Sequence, residues 1–278
     1  MQLLFGTIER KILTIFFIAS IAYLAFFLYT SGYKQHPLGV YTQIPLIVMP
    51  LFTGMFGLTR VRLWGGFKTL MGQAMFGLSL AAVIFGIGFL IWTFYIFSGI
   101  AFPFPSLADY VFVWFSPVWA FGLIQLSRVI GASAGIRAIK ALSKEKIIFL
   151  IVIIGASALS YYVSIAIAGK SQIPESPQTS GQIIFNAIYN YQTIFHLILL
   201  SGAYILSRNY LGGIYKSTIL ILFAGFILHY LAVVFFAYTT ITLTYFNGNI
   251  ADIFYTLAEY FQCLGILNLD PGKVLRKN

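Results

Sequence analysis

Long apolar runs separated by short polar stretches dominate this chain. They lie near residues 11–30, 41–59, 69–99, 109–130, 146–168, 182–207, 216–239 and 250–267. Each approaches or exceeds the roughly 20 residues a helix needs to cross a hydrocarbon core about 30 Å thick. The pattern predicts an all-α integral membrane protein with about eight transmembrane helices, the third long enough to tilt or to extend past the bilayer. The short alternating segments of a membrane β-barrel are absent.

Composition agrees with this reading. Hydrophobic residues make up 60% of the chain and charged residues 9%, too few polar side chains to cover a soluble globule. The lipid bilayer is therefore the first expected partner. A net charge of +10 raises nucleic acid as another, because a basic footprint is the first sign of phosphate binding. Position argues against it. Of the 17 Lys and Arg residues, all except Lys34 and Lys170 fall in loops that alternate to one side of the predicted helices. That asymmetry places both termini in the cytoplasm, requires an even number of spans and assigns the cell membrane as the location. Arg10 and Lys11 before an apolar run resemble a signal peptide, but the run reaches Tyr29 and no small-residue cleavage site follows, so it reads as the first helix. The single cysteine, Cys263, excludes an internal disulfide and any multi-cysteine metal site.

The chain also repeats itself. Thr59-Arg60-Val61-Arg62-Leu63-Trp64-Gly65-Gly66-Phe67-Lys68-Thr69 aligns without gaps on Ser207-Arg208-Asn209-Tyr210-Leu211-Gly212-Gly213-Ile214-Tyr215-Lys216-Ser217. Downstream, Leu107-Ala108-Asp109 with Gly122 matches Ile250-Ala251-Asp252 with Gly265 at the same spacing. The implied organisation is a four-helix repeat over 1–130, a basic cytoplasmic linker over 131–145, a second repeat over 146–270 and a short tail over 271–278. Four helices return the chain to its starting side, so the two repeats are parallel, related by a pseudo-twofold axis along the membrane normal, with a crevice between them. Outer loops such as 172–181, rich in Ser, Pro and Gln, do not read as a folded domain. Function is expected to reside in the membrane region or in a partner.

Within that region a few residues carry chemistry. Glu259 lies two turns into the eighth helix, about 10 Å from Asp252 along the axis, where an acid costs several kcal/mol unless paired, protonated or hydrated. It aligns with Ser116 of the first repeat. The sixth helix places Asn186, Tyr189, Asn190, Thr193 and His196 on one face, and His229 is central in the seventh. His196, His229 and Glu259, with Asn186 and Asn190, are the candidate ligand or proton pathway; hydrogen bonding between helices is an equal alternative. Asp109 and Asp252 form an outer-face acidic pair, best read as caps of the fourth and eighth helices, though also suited to a cation arriving from outside. Pro45, Pro50 and Pro117 fall inside predicted helices and permit kinks. Gly65, Gly66, Gly212 and Gly213 read as turns; the rest of a phosphate-loop pattern is missing. No cofactor or metal site is expected.

The stretch Pro105-Ser106-Leu107-Ala108-Asp109 followed by Pro117 and Gly122-Leu123 resembles the P-S-x-A-D…P…G-L segment of an eight-helix membrane sensor region found ahead of bacterial and archaeal diguanylate cyclases and histidine kinases. The resemblance implies a membrane input module. Ser116 departs from it, standing where the family has an aromatic residue before the proline. The resulting expectation is a receptor-like or sensory module without an output domain or catalysis of its own, acting through a protein partner on the basic inner loops and taking a small-molecule ligand. Parallel repeats and intramembrane Glu and His also suit a secondary transporter with proton coupling, and a non-catalytic subunit of a membrane complex is a further reading. A membrane-embedded hydrolase ranks last, because His36, His196 and His229 lack metal-ligand spacing. A retinal Schiff base would need a mid-helix lysine, and none is present.

Overall fold

The computed structural model describes residues 7–100, 103–129, 144–162, 180–207 and 216–272. They form eight long helices: α1 (Ile8–Ser31), α2 (Ile44–Arg60), α3 (Leu70–Ser98), α4 (Leu107–Val129), α5 (Lys144–Tyr161), α6 (Ser180–Ser207), α7 (Lys216–Ile241) and α8 (Ile250–Asn268). Short 3-10 turns at Pro37–Gln43, Arg62–Trp64 and Gly66–Lys68 flank α2. No strand occurs among the described residues. Six of the helices, α1 to α4, α7 and α8, are long and apolar enough to cross a membrane, and the chain is an all-α, multi-pass membrane protein. In α5 and α6 the described residues include the apolar segments 150–159 and 194–203. At 29 residues α3 is the longest, about 44 Å at 1.5 Å per residue.

Helix ends follow local chemistry. Thr69 accepts the backbone N–H of Gly72 and opens α3, while Gly32 and Gly99, at φ 59° and 63°, close α1 and α3 in the left-handed region. Gly65 and Gly66, at φ 87° and 62°, turn the chain between α2 and α3. Gly212 and Gly213 lie outside the described residues, as do Arg137, Lys140, Arg208 and Lys170. Pro45 differs from the sequence expectation. It occupies the first turn of α2, where its missing N–H leaves no helical bond unmade; Pro50 and Pro117 are interior, as expected.

Packing is densest where backbones approach closely. A Cβ placed on Gly77 of α3 would lie 2.6 Å from the backbone N and Cα of Gly122 on α4, and one on Gly122 would lie 2.5 Å from Leu78 N. Small residues at such crossings let helices gain dispersion contact without a solvent-driven hydrophobic term. α7 and α8 meet similarly, Gly225 against Gln262 and Gly265 against Leu222. Helix α2 packs on α3 and α8, α6 on α4 and α7, α1 on α2 and α8, and α5 on α6. The core runs through Met75, Leu78, Phe85, Trp119, Leu123, Leu197, Leu222 and Phe226. Outside it, large apolar side chains such as Ile15, Met55, Phe94, Trp114 and Ile151 are exposed, as a lipid-facing surface requires.

The basic residues near the predicted inner ends correct a second expectation. Arg10, Lys11 and Arg60 are helical, not in loops, and two of the three are buried. Arg60 donates to the Leu267 carbonyl at 3.0 Å and pairs with Glu9 at 3.1 Å. Arg10 donates to Asn268 Oδ1 at 2.8 Å, and Trp64 Nε1 donates to the Leu269 carbonyl at 3.2 Å. The last carbonyls of a helix lack intrahelical donors and sit at its negative end. Arg60 at the end of α2 and Trp64 in the α2–α3 turn satisfy two of them here, and Arg10 of α1 holds the Asn268 side chain, fixing the C-terminal end of α8.

Candidate functional site

Helix α8 turns a polar stripe inward: Thr256, Glu259, Gln262 and Cys263 recur at three- and four-residue spacing and all are buried. Glu259, 3% exposed, places Oε1 3.8 Å from Nδ1 of His229 on α7. That separation is too long for a hydrogen bond. Both atoms, and Nε2 of Gln262, are buried without a hydrogen-bond partner, an uncommon condition for polar atoms in a packed interior. The rings of Phe85, Phe115, Phe226 and Tyr255 surround the imidazole, with centroids 5.5 to 6.2 Å away. Closing the gap by about 1 Å would form a charge-assisted hydrogen bond. The two groups are thus held near each other in an aromatic shell, one short movement from contact.

His196 reaches the same aromatic cluster from α6. Its ring packs on Phe115 at 5.5 Å, Phe226 at 5.3 Å and Trp119 at 4.9 Å. Its hydrogen bond goes to Ser116 on α4 rather than to Glu259: Nε2 and Oγ are 2.8 Å apart. The three candidates therefore converge on one ring cluster, divided into two pairs, His229 with Glu259 and His196 with Ser116. Ser116 and Glu259 occupy aligned positions of the sequence repeat, and each meets a histidine.

Asn186 and Asn190 lie on α6, but their side chains fall outside the described ones, as do those of Tyr189 and Thr193. The residue on this helix that sequence reasoning passed over is Gln192, one turn before His196. Its Nε2 donates to the Phe112 carbonyl at 3.4 Å, and its Oε1 is buried and unpartnered. The Nε1 of Trp119 on α4 is also buried without a partner. Three- and four-residue spacing from Ser116 and His196 was the available signal for both.

The two aspartates have different roles. Asp109 Oδ2 accepts from the backbone N and Oγ of Ser106, both at 2.6 Å, and its own N–H returns to Ser106 Oγ at 3.3 Å. This reciprocal capping box opens α4. Asp252, 2% exposed, accepts from Gly248 N at 2.5 Å, Gln43 Nε2 at 2.8 Å and the Tyr245 hydroxyl at 3.4 Å. The N-cap of α8 is Asn249, which accepts from Ala251 N at 2.8 Å; Asp252, in the first turn, ties the helix to Gly248 and to the turn before α2. Burial, reinforced by the Asp252 carboxylate, pushes the Tyr245 phenol well above the ordinary tyrosine range. Among the described residues no three His, Cys, Asp or Glu side chains converge as metal ligands would. Comparison with protein-family models, with curated proteins and with solved structures finds no match to this chain.

Proposed function

We propose that the chain is a receptor-like membrane module whose input is taken inside the helix bundle and passed through α8 to a protein partner. The observation that supports it is the His229–Glu259 pair, buried and 3.8 Å apart with both facing atoms unpartnered. A buried acid and base that can meet or stand apart define two arrangements whose balance a differential interaction shifts. A proton arriving at the pair, or a small polar ligand bridging it, changes which arrangement is favoured. The other ionisable side chains near it are His196 on α6 and Tyr255 and Cys263 on α8 itself. α8 is held at one end by Asp252 and Gln43 and at the other by Arg10, Arg60 and Trp64, so it carries a shift at Glu259 to both membrane faces. Exposed Arg62 and Lys68 beside the clamped end offer a basic surface to a partner.

The topology that goes with this reading is eight spans in two parallel four-helix repeats, both termini cytoplasmic. Three features support it. Lys and Arg concentrate in alternate loops of the sequence, on one side of the predicted helices; α3 with α4 and α7 with α8 pack through aligned glycines; and α2 contacts α8 as α6 contacts α4.

The same intramembrane pair supports a second reading, a proton-coupled transporter. One experiment separates them. In lipid nanodiscs, spin labels at the end of α8 and beside Arg62 report their separation while pH and candidate small polar solutes are varied; in liposomes, flux of the same solutes is followed. A sensory module shows a distance change that Glu259→Gln removes, without flux. Flux abolished by Glu259→Gln makes the chain a transporter. Neither response in the folded protein refutes both readings of the pair.

A further inference from the structure

The polar contact between α4 and α6 has a chemistry separate from that of the His229–Glu259 pair. Ser116 Oγ lies 2.8 Å from His196 Nε2, the separation at which an imidazole takes a hydroxyl proton as it becomes a nucleophile; the same Nε2 lies 3.4 Å from the Ser116 carbonyl, and it serves as base in the tautomer that leaves it unprotonated. His196 is 1% exposed and fixed on three sides by Phe115, Trp119 and Phe226, so its nitrogen is aimed by packing. Ser116 is only half-buried. Trp119 and Gln192 hold buried, unpartnered polar atoms beside the pair, Nε1 and Oε1 respectively. Trp119 lies one turn along α4 from Ser116, and Gln192 one turn along α6 from His196. A helix-to-helix hydrogen bond needs neither. An oxyanion developing next to Ser116 would be served by the indole N–H. Pro117 follows directly and cannot donate a helical N–H, which loosens the backbone at the serine.

We infer that Ser116 and His196 form a nucleophile and base for acyl transfer, acting on an ester dissolved in the membrane, with Trp119 as the oxyanion donor. Ser116 Oγ attacks the acyl carbonyl carbon while its proton passes to His196 Nε2. The ester C–O bond breaks, the alkoxide takes that proton and leaves as alcohol, and the acyl group remains on Ser116. Water, deprotonated by His196, then attacks the acyl-serine; the carboxylic acid departs and Ser116 recovers its proton. The surrounding exposed apolar residues, Trp114 and Phe121 on α4 and Phe195 on α6, favour an acyl chain over a charged water-soluble substrate.

The test uses the whole protein in lipid nanodiscs with a long-chain alkyl fluorophosphonate, which marks serines activated by a base, and locates the adduct by peptide mass spectrometry. The expected result is a single adduct on Ser116, absent in Ser116→Ala, slowed at least about a hundredfold in His196→Gln and about tenfold or more in Trp119→Phe. If His196→Gln does not fold, hydrolysis of a long-chain nitrophenyl ester by the natural chain against Ser116→Ala decides. An adduct on several serines alike, or a folded natural chain that neither reacts at Ser116 nor turns over the ester, overturns the inference and leaves an ordinary interhelical hydrogen bond.

Discussion

Gly122→Ala tests the packing on which the whole bundle depends. The added Cβ would stand 2.5 Å from Leu78 N and 2.9 Å from the Gly77 carbonyl carbon, both backbone atoms that no rotamer change can move. Restoring ordinary contact distances requires α3 and α4 to part by about 1 Å, which forfeits a quarter to a half of the dispersion energy at the affected contacts. Overpacking of this kind costs about 1–3 kcal/mol, occasionally more, and because α3·α4 is the most extensive helix pair the upper part of that range applies. Alanine returns about 1 kcal/mol through its better helix propensity. The net expectation is a loss of about 1–2 kcal/mol. Gly202→Ala provides the control: nothing lies within 4 Å of its Cβ, so only the propensity gain remains and stability should hold or rise. Gly265→Ala falls between, because its Cβ meets the mobile end of Leu222 at 2.6 Å. Reversible unfolding in mixed detergent micelles, followed by circular dichroism, ranks the three. Equal stability of Gly122→Ala and Gly202→Ala would refute the reasoning.

Arg60→Ala removes both the Leu267 carbonyl bond and the Glu9 ion pair, and should cost about 2–3 kcal/mol in the same unfolding assay, whereas Glu9→Gln, partly solvent-screened, should cost under about 1; equal losses would show that the ion pair, not the cap, matters. Glu259→Gln keeps the shape of the side chain while removing its charge, so stability within about 1 kcal/mol of the natural chain is expected, and a loss above about 3 would make Glu259 structural rather than responsive. Ser106→Ala breaks the capping box of α4 and should cost about 1 kcal/mol, read from the same transition. Because folding raises the Tyr245 phenol above its unfolded value, the folded chain binds more protons at alkaline pH; its contribution is complete below the ordinary tyrosine pKa and is lost as pH rises through the folded one. Stability should therefore fall above about pH 10, and Tyr245→Phe should flatten that fall; an unchanged slope would place the titrating group elsewhere.

The helices were legible because lipid leaves the backbone almost no other solution: a run of about 20 apolar residues must satisfy its own N–H and C=O groups. Thus 11–30 became Ile8–Ser31 and 250–267 became Ile250–Asn268. The polar stripe of α8 was visible through Glu259, whose burial any membrane reading implies. What the pattern concealed was pairing. A charge rule applied to Arg10 and Arg60 sees loop cations, whereas the structure folds both onto the end of α8, more than 200 positions away. Ser116 looked like a mere departure from a family pattern, and only the crossing of α4 with α6 shows that it faces His196. Capping of α4 by Asp109 was legible from the Ser-x-x-Asp spacing; the tie from Asp252 to Gln43 was not, because it joins separate helices.

The central claim is that the His229–Glu259 pair changes state and that α8 moves with it. Infrared difference spectroscopy of the protein in nanodiscs across a pH step, with the Glu259→Gln spectrum subtracted, isolates the Glu259 carboxyl band while a spin label at the end of α8 reports displacement. The account predicts a Glu259 band that appears or shifts over the same pH interval as the movement. A Glu259 signal that stays constant while α8 moves, or that changes while α8 stays fixed, would contradict it.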